Sequence, residues 1–462
     1  MAQSVLAGSQ AGQRVGPYLV AACVVAVVYY STVAPSLTWS HWGSDGGDFV
    51  TAAVMNRVPH PPGFPAYLLL SRAALWLCSS DPARALNCLS ALCVLGAVLL
   101  TMRTVQGRGV PAWVSVVVGL SLAFSPWLWS QALITEVYAT AALFVSLIIL
   151  LVQHAEARKL VPWALVGLAL GLGISTHLTV AFLIPYVVLG RRVQWSGLVL
   201  GLTVGILPYA LLPLLGPWPQ PWGDLSTMAG WLEYVSARMY WGNAFALPSG
   251  DWPSRMLAWA SLVTRQYTPL GALLIIVGSA WKWSASRMQV LGGALAFLLA
   301  SLYAIGYDSP DSWVYLVAYM PLAAVALSDG IQALCDRKWR SGILHPALGV
   351  VIPILALTLS WRDVTLSNDR EAMDWLRVTL GATPRNAVIV TNQDRHTFAL
   401  WYATEAVTWR PDVTVVDERL LGYGPYDAYV QMTLGGDGDT IAALAGTRPL
   451  CSVGSQSEVV CQ

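Results

Sequence analysis

Two carboxylates, Asp45 and Asp48, lie three positions apart in the segment Gly43-Ser44-Asp45-Gly46-Gly47-Asp48-Phe49. A carboxylate placed beside a substrate hydroxyl can take its proton as the oxygen attacks, which is general-base catalysis. The flanking glycines would let a backbone loop come close to such a substrate. Shortly after follows Pro59-His60-Pro61-Pro62-Gly63-Phe64-Pro65, a turn stiffened because each proline fixes φ and restricts its predecessor. Taken alone, the same residues also describe an acidic, solvated loop ending in a proline turn.

Further ionisable groups stand at the ends of apolar runs. Glu136 sits in Thr135-Glu136-Val137-Tyr138, and His177 in Ser175-Thr176-His177-Leu178-Thr179. An ionisable side chain inside a bilayer costs about 2.5–3.5 kcal/mol on insertion scales, so it usually faces a cavity or a partner. The plainer alternative for each is an interfacial residue reaching into water. Asp308 and Asp311 bring the acids to five. Trp222-Gly223-Asp224 and Ser236-Ala237-Arg238-Met239-Tyr240 add Asp224 and Tyr240 as substrate-binding candidates. Arg238 is the candidate phosphate partner, because a guanidinium donates a planar, bidentate fork; a surface ion pair is its plainer reading. Asp45, Asp48 and His60 could converge on a divalent metal. Their spacing follows no ligand code, so no metal site is assigned and metal dependence stays open.

The rest of the chain must hold these groups together. Of 462 residues, 56% are hydrophobic and only 11% are charged. Soluble chains carry about 25% charged residues, so this surface suits lipid. Trp is abundant at 22 residues, as expected where side chains gather at membrane interfaces. A net charge of +1 argues against a nucleic-acid partner, which would need a basic face. Residues 1–16 are small and polar, and no cleavable signal peptide is evident.

About eleven stretches are apolar enough to span: 17–35, 83–102, 110–129, 135–152, 161–175, 178–190, 195–215, 262–280, 288–306, 312–333 and 343–361. Lys and Arg alternate between the short loops. Arg14, Arg103, Arg108, Arg158, Lys159, Arg191, Arg192, Lys282, Arg287, Arg337, Lys338 and Arg340 fall on one side, and loops 130–134, 176–177 and 307–311 have none. The positive-inside rule then predicts a cytoplasmic N-terminus and an extracytoplasmic C-terminus. Domain 1–361 is expected to be the membrane part, with external loops 36–82 and 216–258. Within the first loop, Phe64–Cys78, interrupted by Arg72, is expected to lie along the interface.

Residues 362–462 form the second expected domain, a small extracytoplasmic α/β unit. Asn368 is the expected cap of a helix beginning Asp369-Arg370-Glu371. Strands are expected at Ala387–Thr391 and Val413–Val416, with a helix near 395–405 between them. The unit is too short and too glycine-poor at its turns for a dinucleotide site. Cys451 and Cys461 can pair if this tail is outside the cytoplasm, whereas Cys23, Cys88 and Cys93 lie in apolar runs.

Several of these motifs occur together in a fixed order. They are Asp45-Gly-Gly-Asp48-Phe49, His60-Pro-Pro-Gly63-Phe-Pro, Ser130-Gln131 with Glu136-Val-Tyr138, and Gly173-Ile-Ser-Thr-His177-Leu-Thr179. Trp222-Gly-Asp224, Ser236-Ala-Arg238-Met-Tyr240 and Asn368-Asp-Arg-Glu371 follow. From about residue 40 to 420 the chain resembles bacterial relatives of transmembrane protein 260, a multi-pass O-mannosyltransferase family.

The resemblance implies an all-α polytopic membrane fold of the GT-C type and inverting transfer from a polyprenyl-phosphate sugar donor. It also implies an essential acid in the first external loop, here Asp45 or Asp48, with Asp48 standing where the family more often has Glu. The expectation is a transferase in a bacterial plasma membrane that places a hexose such as mannose on an extracytoplasmic protein, glycan or lipid acceptor. A transporter or flippase is the main rival. It would show charged groups near the midplane and broken helices related in pairs, and neither is evident. A non-catalytic assembly factor, in which the acids would be dispensable, is the third reading.

Overall fold

The computed structural model of the chain describes residues 2–77, 81–336, 344–435, 440–454 and 458–462. Cys78, Arg337, Lys338 and Arg340 lie outside them. Among the described residues six helices are long and apolar enough to cross a bilayer: Val15–Thr32, Pro82–Gln106, Val137–His154, Trp195–Leu214, Thr268–Gly306 and Ser312–Cys335. The shorter apolar helices Ala112–Ala123, Leu160–Thr176 and Leu178–Val188 occupy three more of the expected spans.

The departures from uninterrupted spans have local causes. The stretch 110–129 divides into Ala112–Ala123 and Pro126–Gln131, because Pro126 lacks an N–H and opens a new helix instead of continuing one. The stretch 178–190 begins as a 3₁₀ turn, Leu178–Leu183, before Ile184–Val188. The span expected from 262 starts at Thr268, behind a separate helix Trp252–Gln266 that carries Arg255 and Arg265. The long helix Thr268–Gly306 breaks at Ser286 (φ −148°, ψ 46°), in the basic segment expected to separate two spans. Helix Pro65–Leu77 buries Tyr67, Leu68 and Ser71 but leaves Trp76 and Leu77 on the surface, as suits a helix lying at an interface.

The tail builds a four-stranded sheet from β1 (Val388–Thr391), β2 (Thr414–Asp417), β3 (Leu450–Val453) and β4 (Val459–Cys461). The order is β2-β1-β3-β4, with β1 parallel to β2 and β3, and β4 antiparallel to β3. Cys451 and Cys461 face each other across the last pair and form a disulfide. The helix expected to start near Asn368 runs Glu371–Ala382. Its first turn is held by Asp369, whose Oδ1 accepts from the Glu371 N–H at 3.1 Å, and not by Asn368.

One buried cluster joins this unit to the segment 50–58 and the start of helix Pro82–Gln106. Val50, Ala53, Val58 and Leu86 pack with Trp222 and with Leu376, Phe398 and Trp401. The two come close at Gly47, where a Cβ would stand 2.3 Å from the Phe398 carbonyl oxygen. Gly46 and Gly47 are therefore not a flexible loop. They open the buried helix Gly46–Val54, and the absence of a side chain at Gly47 lets helix Asp394–Trp401 lie directly on it.

Candidate active site

Asp45 closes a short 3₁₀ turn, Ser40–Asp45, immediately before the helix that carries Asp48. The two carboxylates consequently face different surroundings. Asp48 is fully buried. Its Oδ2 accepts from the His60 backbone N–H at 2.7 Å and contacts His60 Nδ1 at 2.9 Å. Its Oδ1 accepts from Trp222 Nε1 at 3.0 Å. Asp45 is one-third exposed, and its Oδ2 lies 3.7 Å from His60 Nε2. The imidazole thus stands between a buried carboxylate that orients it and an open one.

His60 owes its position to the turn that follows it. Gly63 adopts φ +88°, and a Cβ there would come within 2.8 Å of the Tyr234 ring and hydroxyl. The Tyr234 hydroxyl in turn donates to the Pro59 carbonyl, so the turn is closed against helix Met228–Val235.

Asp45 and His60 line a cavity of about 410 Å³. Burial, partly offset by His60, pushes the Asp45 carboxyl up to about 7, with Asp394, Asp311 and Asp48 adding to the rise. Burial alone would lower the His60 pKa, but the Asp45 and Asp48 carboxylates outweigh it and hold it above its ordinary value. The open carboxylate is thus poised near neutrality, where general-base catalysis is most effective.

The other expected residues divide into three groups. His177 and Tyr240 line the same cavity. His177 accepts from the Thr179 backbone N–H and stacks on Phe64 at 6.0 Å between ring centroids, with Tyr138 and Tyr315 alongside at 5.2 and 5.5 Å. Burial lowers it to about 3, so it enters as neutral imidazole. Glu136 is buried and caps helix Val137–His154 through its own side chain.

The third group is held elsewhere. Asp224 accepts from the Ser226 N–H at 2.9 Å in a surface turn. Arg238 is exposed, while its neighbours Ala237, Met239 and Tyr240 line the cavity. Of the remaining acids, Asp311 reaches the cavity wall and Asp308 is exposed. Among the described residues no group of three or more His, Cys, Asp and Glu side chains is arranged to hold a metal ion.

The cavity also takes walls that residue-type reasoning did not assign. Tyr303, Tyr307 and Tyr315 line one side, and Asp394, Phe398 and Arg419 enter from the C-terminal unit. A signal for the last group exists in the chain. Asp394 and Arg419 follow directly on the carboxyl ends of β1 and β2, the edge where parallel strands present residues to ligands.

Comparison with known proteins agrees with this architecture. Residues 45–194 match the family model described as the protein O-mannosyl-transferase TMEM260 N-terminal domain, and residues 372–432 match TMEM260-associated domain 2. The protein O-mannosyl-transferase TMEM260 of Mus musculus is 28% identical over 446 residues, covering 87% of this chain and 62% of the relative. Its Dictyostelium discoideum counterpart is 20% identical over 475 residues, covering 87% and 58%. The chain thus spans about three-fifths of the length of these curated relatives. ArnT from Cupriavidus metallidurans, solved bound to undecaprenyl phosphate, superposes with a TM-score of 0.58 at 13% identity, covering 95% of this chain and 93% of that one. At that identity the likeness is one of fold. The chain is thus similar to the TMEM260 protein O-mannosyl-transferases over two matched domains, and it shares its membrane fold with ArnT.

Proposed function

We propose that the chain is an inverting glycosyltransferase, moving a hexose such as mannose from a polyprenyl-phosphate carrier to an acceptor hydroxyl outside the cytoplasm. The observation that carries this reading is Asp45, an open carboxylate raised to about 7 and facing His60 in an aromatic-walled cavity. In the reaction the acceptor oxygen attacks the anomeric carbon while Asp45 takes the hydroxyl proton. The bond from that carbon to the phosphate oxygen breaks, its electron pair stays on the phosphate, and polyprenyl phosphate leaves. Asp48 holds His60, and His60 holds Asp45 toward the cavity. The names of the relatives support mannose and a protein Ser/Thr acceptor, and the undecaprenyl phosphate bound by the ArnT neighbour supports a lipid-linked donor.

Purified protein incubated with polyprenyl-phosphate hexoses should release the sugar to an acceptor bearing free hydroxyls. Intact donor after prolonged incubation across a panel of sugars, with correctly folded protein, would end the proposal.

The proposed orientation puts the cavity and residues 362–462 outside, in a bacterial plasma membrane, because the Lys and Arg residues of the short loops fall on the opposite side. Single cysteines at positions 224 and 158 separate the alternatives. An impermeant thiol reagent applied to intact cells should label the first and miss the second. The reverse pattern would invert the arrangement.

A further inference from the structure

We infer that Arg419, carried by the C-terminal unit, is the cation that grips the phosphate of the lipid-linked donor, and that this phosphate competes with the Asp394 carboxylate for it. The inference rests on the glycosyltransferase reading and names the group that receives its leaving phosphate.

Among the described residues lining the cavity, Arg419 is the only Arg or Lys. Its guanidinium is already oriented. Nε and Nη2 donate to Asp417 at 3.1 and 2.6 Å. Asp417 is fully buried and further fixed by Thr397 Oγ1 at 2.8 Å and by the Arg419 backbone N–H at 3.0 Å. Nη2 also meets Asp394 Oδ1 at 2.7 Å. Among the described residues Nη1 makes no hydrogen bond. A fork held in one plane by a buried carboxylate, with one nitrogen left over, loses little freedom when it closes on a phosphate.

The two carboxylates have different standing. Asp417 is built into the end of β2, whereas the Asp394 side chain is more than half exposed. Asp394 also belongs to the group of acids whose charge reaches Asp45, so the Arg419 pair and the base share one electrostatic field.

The chemistry asks for a cation here. While esterified to the sugar, the donor phosphate is a diester with one negative charge. When the bond to the anomeric carbon breaks, the electron pair stays on phosphate and a second charge develops. A fixed guanidinium therefore holds the departing group more tightly than the bound donor, which favours the transition state. Arg238 is exposed and off the cavity wall, and His177 enters as neutral imidazole, so neither supplies that charge.

The test uses the full chain in lipid nanodiscs, binding polyprenyl phosphate and, as a control, the uncharged polyprenol of the same length. Arg419→Gln should weaken polyprenyl-phosphate binding by about tenfold or more, the usual worth of a charge-assisted hydrogen bond, and leave polyprenol binding unchanged. Asp394→Asn removes the competing charge and should tighten polyprenyl-phosphate binding several-fold, a gain that should shrink when Arg419→Gln is combined with it. Equal affinity of Arg419→Gln and wild type for polyprenyl phosphate would overturn the inference. Should Arg419→Gln fail to fold, Asp394→Asn decides: tighter binding supports the clamp, and unchanged or weaker binding rejects it. A wild-type protein that binds polyprenyl phosphate yet transfers no sugar would instead remove the enzymatic reading, and the binding result would still be readable.

Discussion

Asp45→Asn should lower the rate of sugar transfer by about 10²–10⁴-fold, the usual contribution of a general base, with donor binding nearly unchanged. Asn keeps the shape of the side chain and its place at the end of the Ser40–Asp45 turn, but its amide cannot take a proton from the acceptor. The loss should therefore fall on kcat and leave the donor KM close to that of the wild type.

The pH dependence makes the same point independently. A general base works only as the carboxylate, and burial has pushed Asp45 up to about 7. Wild-type activity should accordingly rise with pH through neutrality and level off once the proton is lost. His60 is close enough to Asp45 that the two titrate as a coupled pair, so the observed midpoint belongs to both. In the Asn variant the residual rate should lose this limb. Measuring kcat and KM from mildly acidic to mildly alkaline pH checks both claims, and an Asn variant running at the wild-type rate would remove Asp45 from the chemistry.

Much of the membrane part was legible because its signals are collective. A run of apolar residues survives local irregularity. Asp45, His60, His177 and Tyr240 were legible for a different reason, as polar types beside turns or at the ends of apolar runs. The misreadings arose where tertiary contact overrides a local pattern. Gly46-Gly47 looks like a loop that comes close to a substrate, but Phe398, some 350 residues away, requires a bare backbone at Gly47. Asp394 and Arg419 look like ordinary solvated charges until the sheet aligns the ends of β1 and β2 beside the cavity. Strands β1 and β2 announce themselves through runs of Val and Ile, whereas β3 (Leu-Cys-Ser-Val) mixes polar and apolar types and β3 and β4 take their pairing from contacts that no local window contains. Arg238 has chemistry that suits phosphate, and the 3₁₀ turn Arg238–Asn243 leaves it exposed while putting Met239 and Tyr240 on the cavity wall.

Asp48→Asn should act through His60, and its signature should differ from that of Asp45→Asn. Asp48 meets three N–H groups, the His60 backbone and Nδ1 on one oxygen and Trp222 Nε1 on the other. Asn offers one acceptor oxygen in place of two. If that oxygen stays with His60, the new amide confronts the Trp222 N–H; if it turns to Trp222, the amide confronts His60. Either way a buried donor loses its partner, at a cost of about 1–3 kcal/mol. The imidazole also loses the nearer of its two carboxylates, so its pKa should fall and its positive charge beside Asp45 should fade. A displaced His60 lets Asp45 drift, and misplacement by about 1 Å can cost about 10²-fold. Activity should therefore fall by about that factor, less than the upper range for loss of the base, with a measurable drop in thermal stability. The acidic limb should persist because Asp45 is intact. Its midpoint should move to higher pH, since the His60 charge that holds the Asp45 pKa down weighs more there than the Asp48 charge that pushes it up. The decisive comparison sets the two variants side by side. A pH limb that vanishes in Asp48→Asn and survives in Asp45→Asn would exchange their roles, making the buried carboxylate the base and the open one its support.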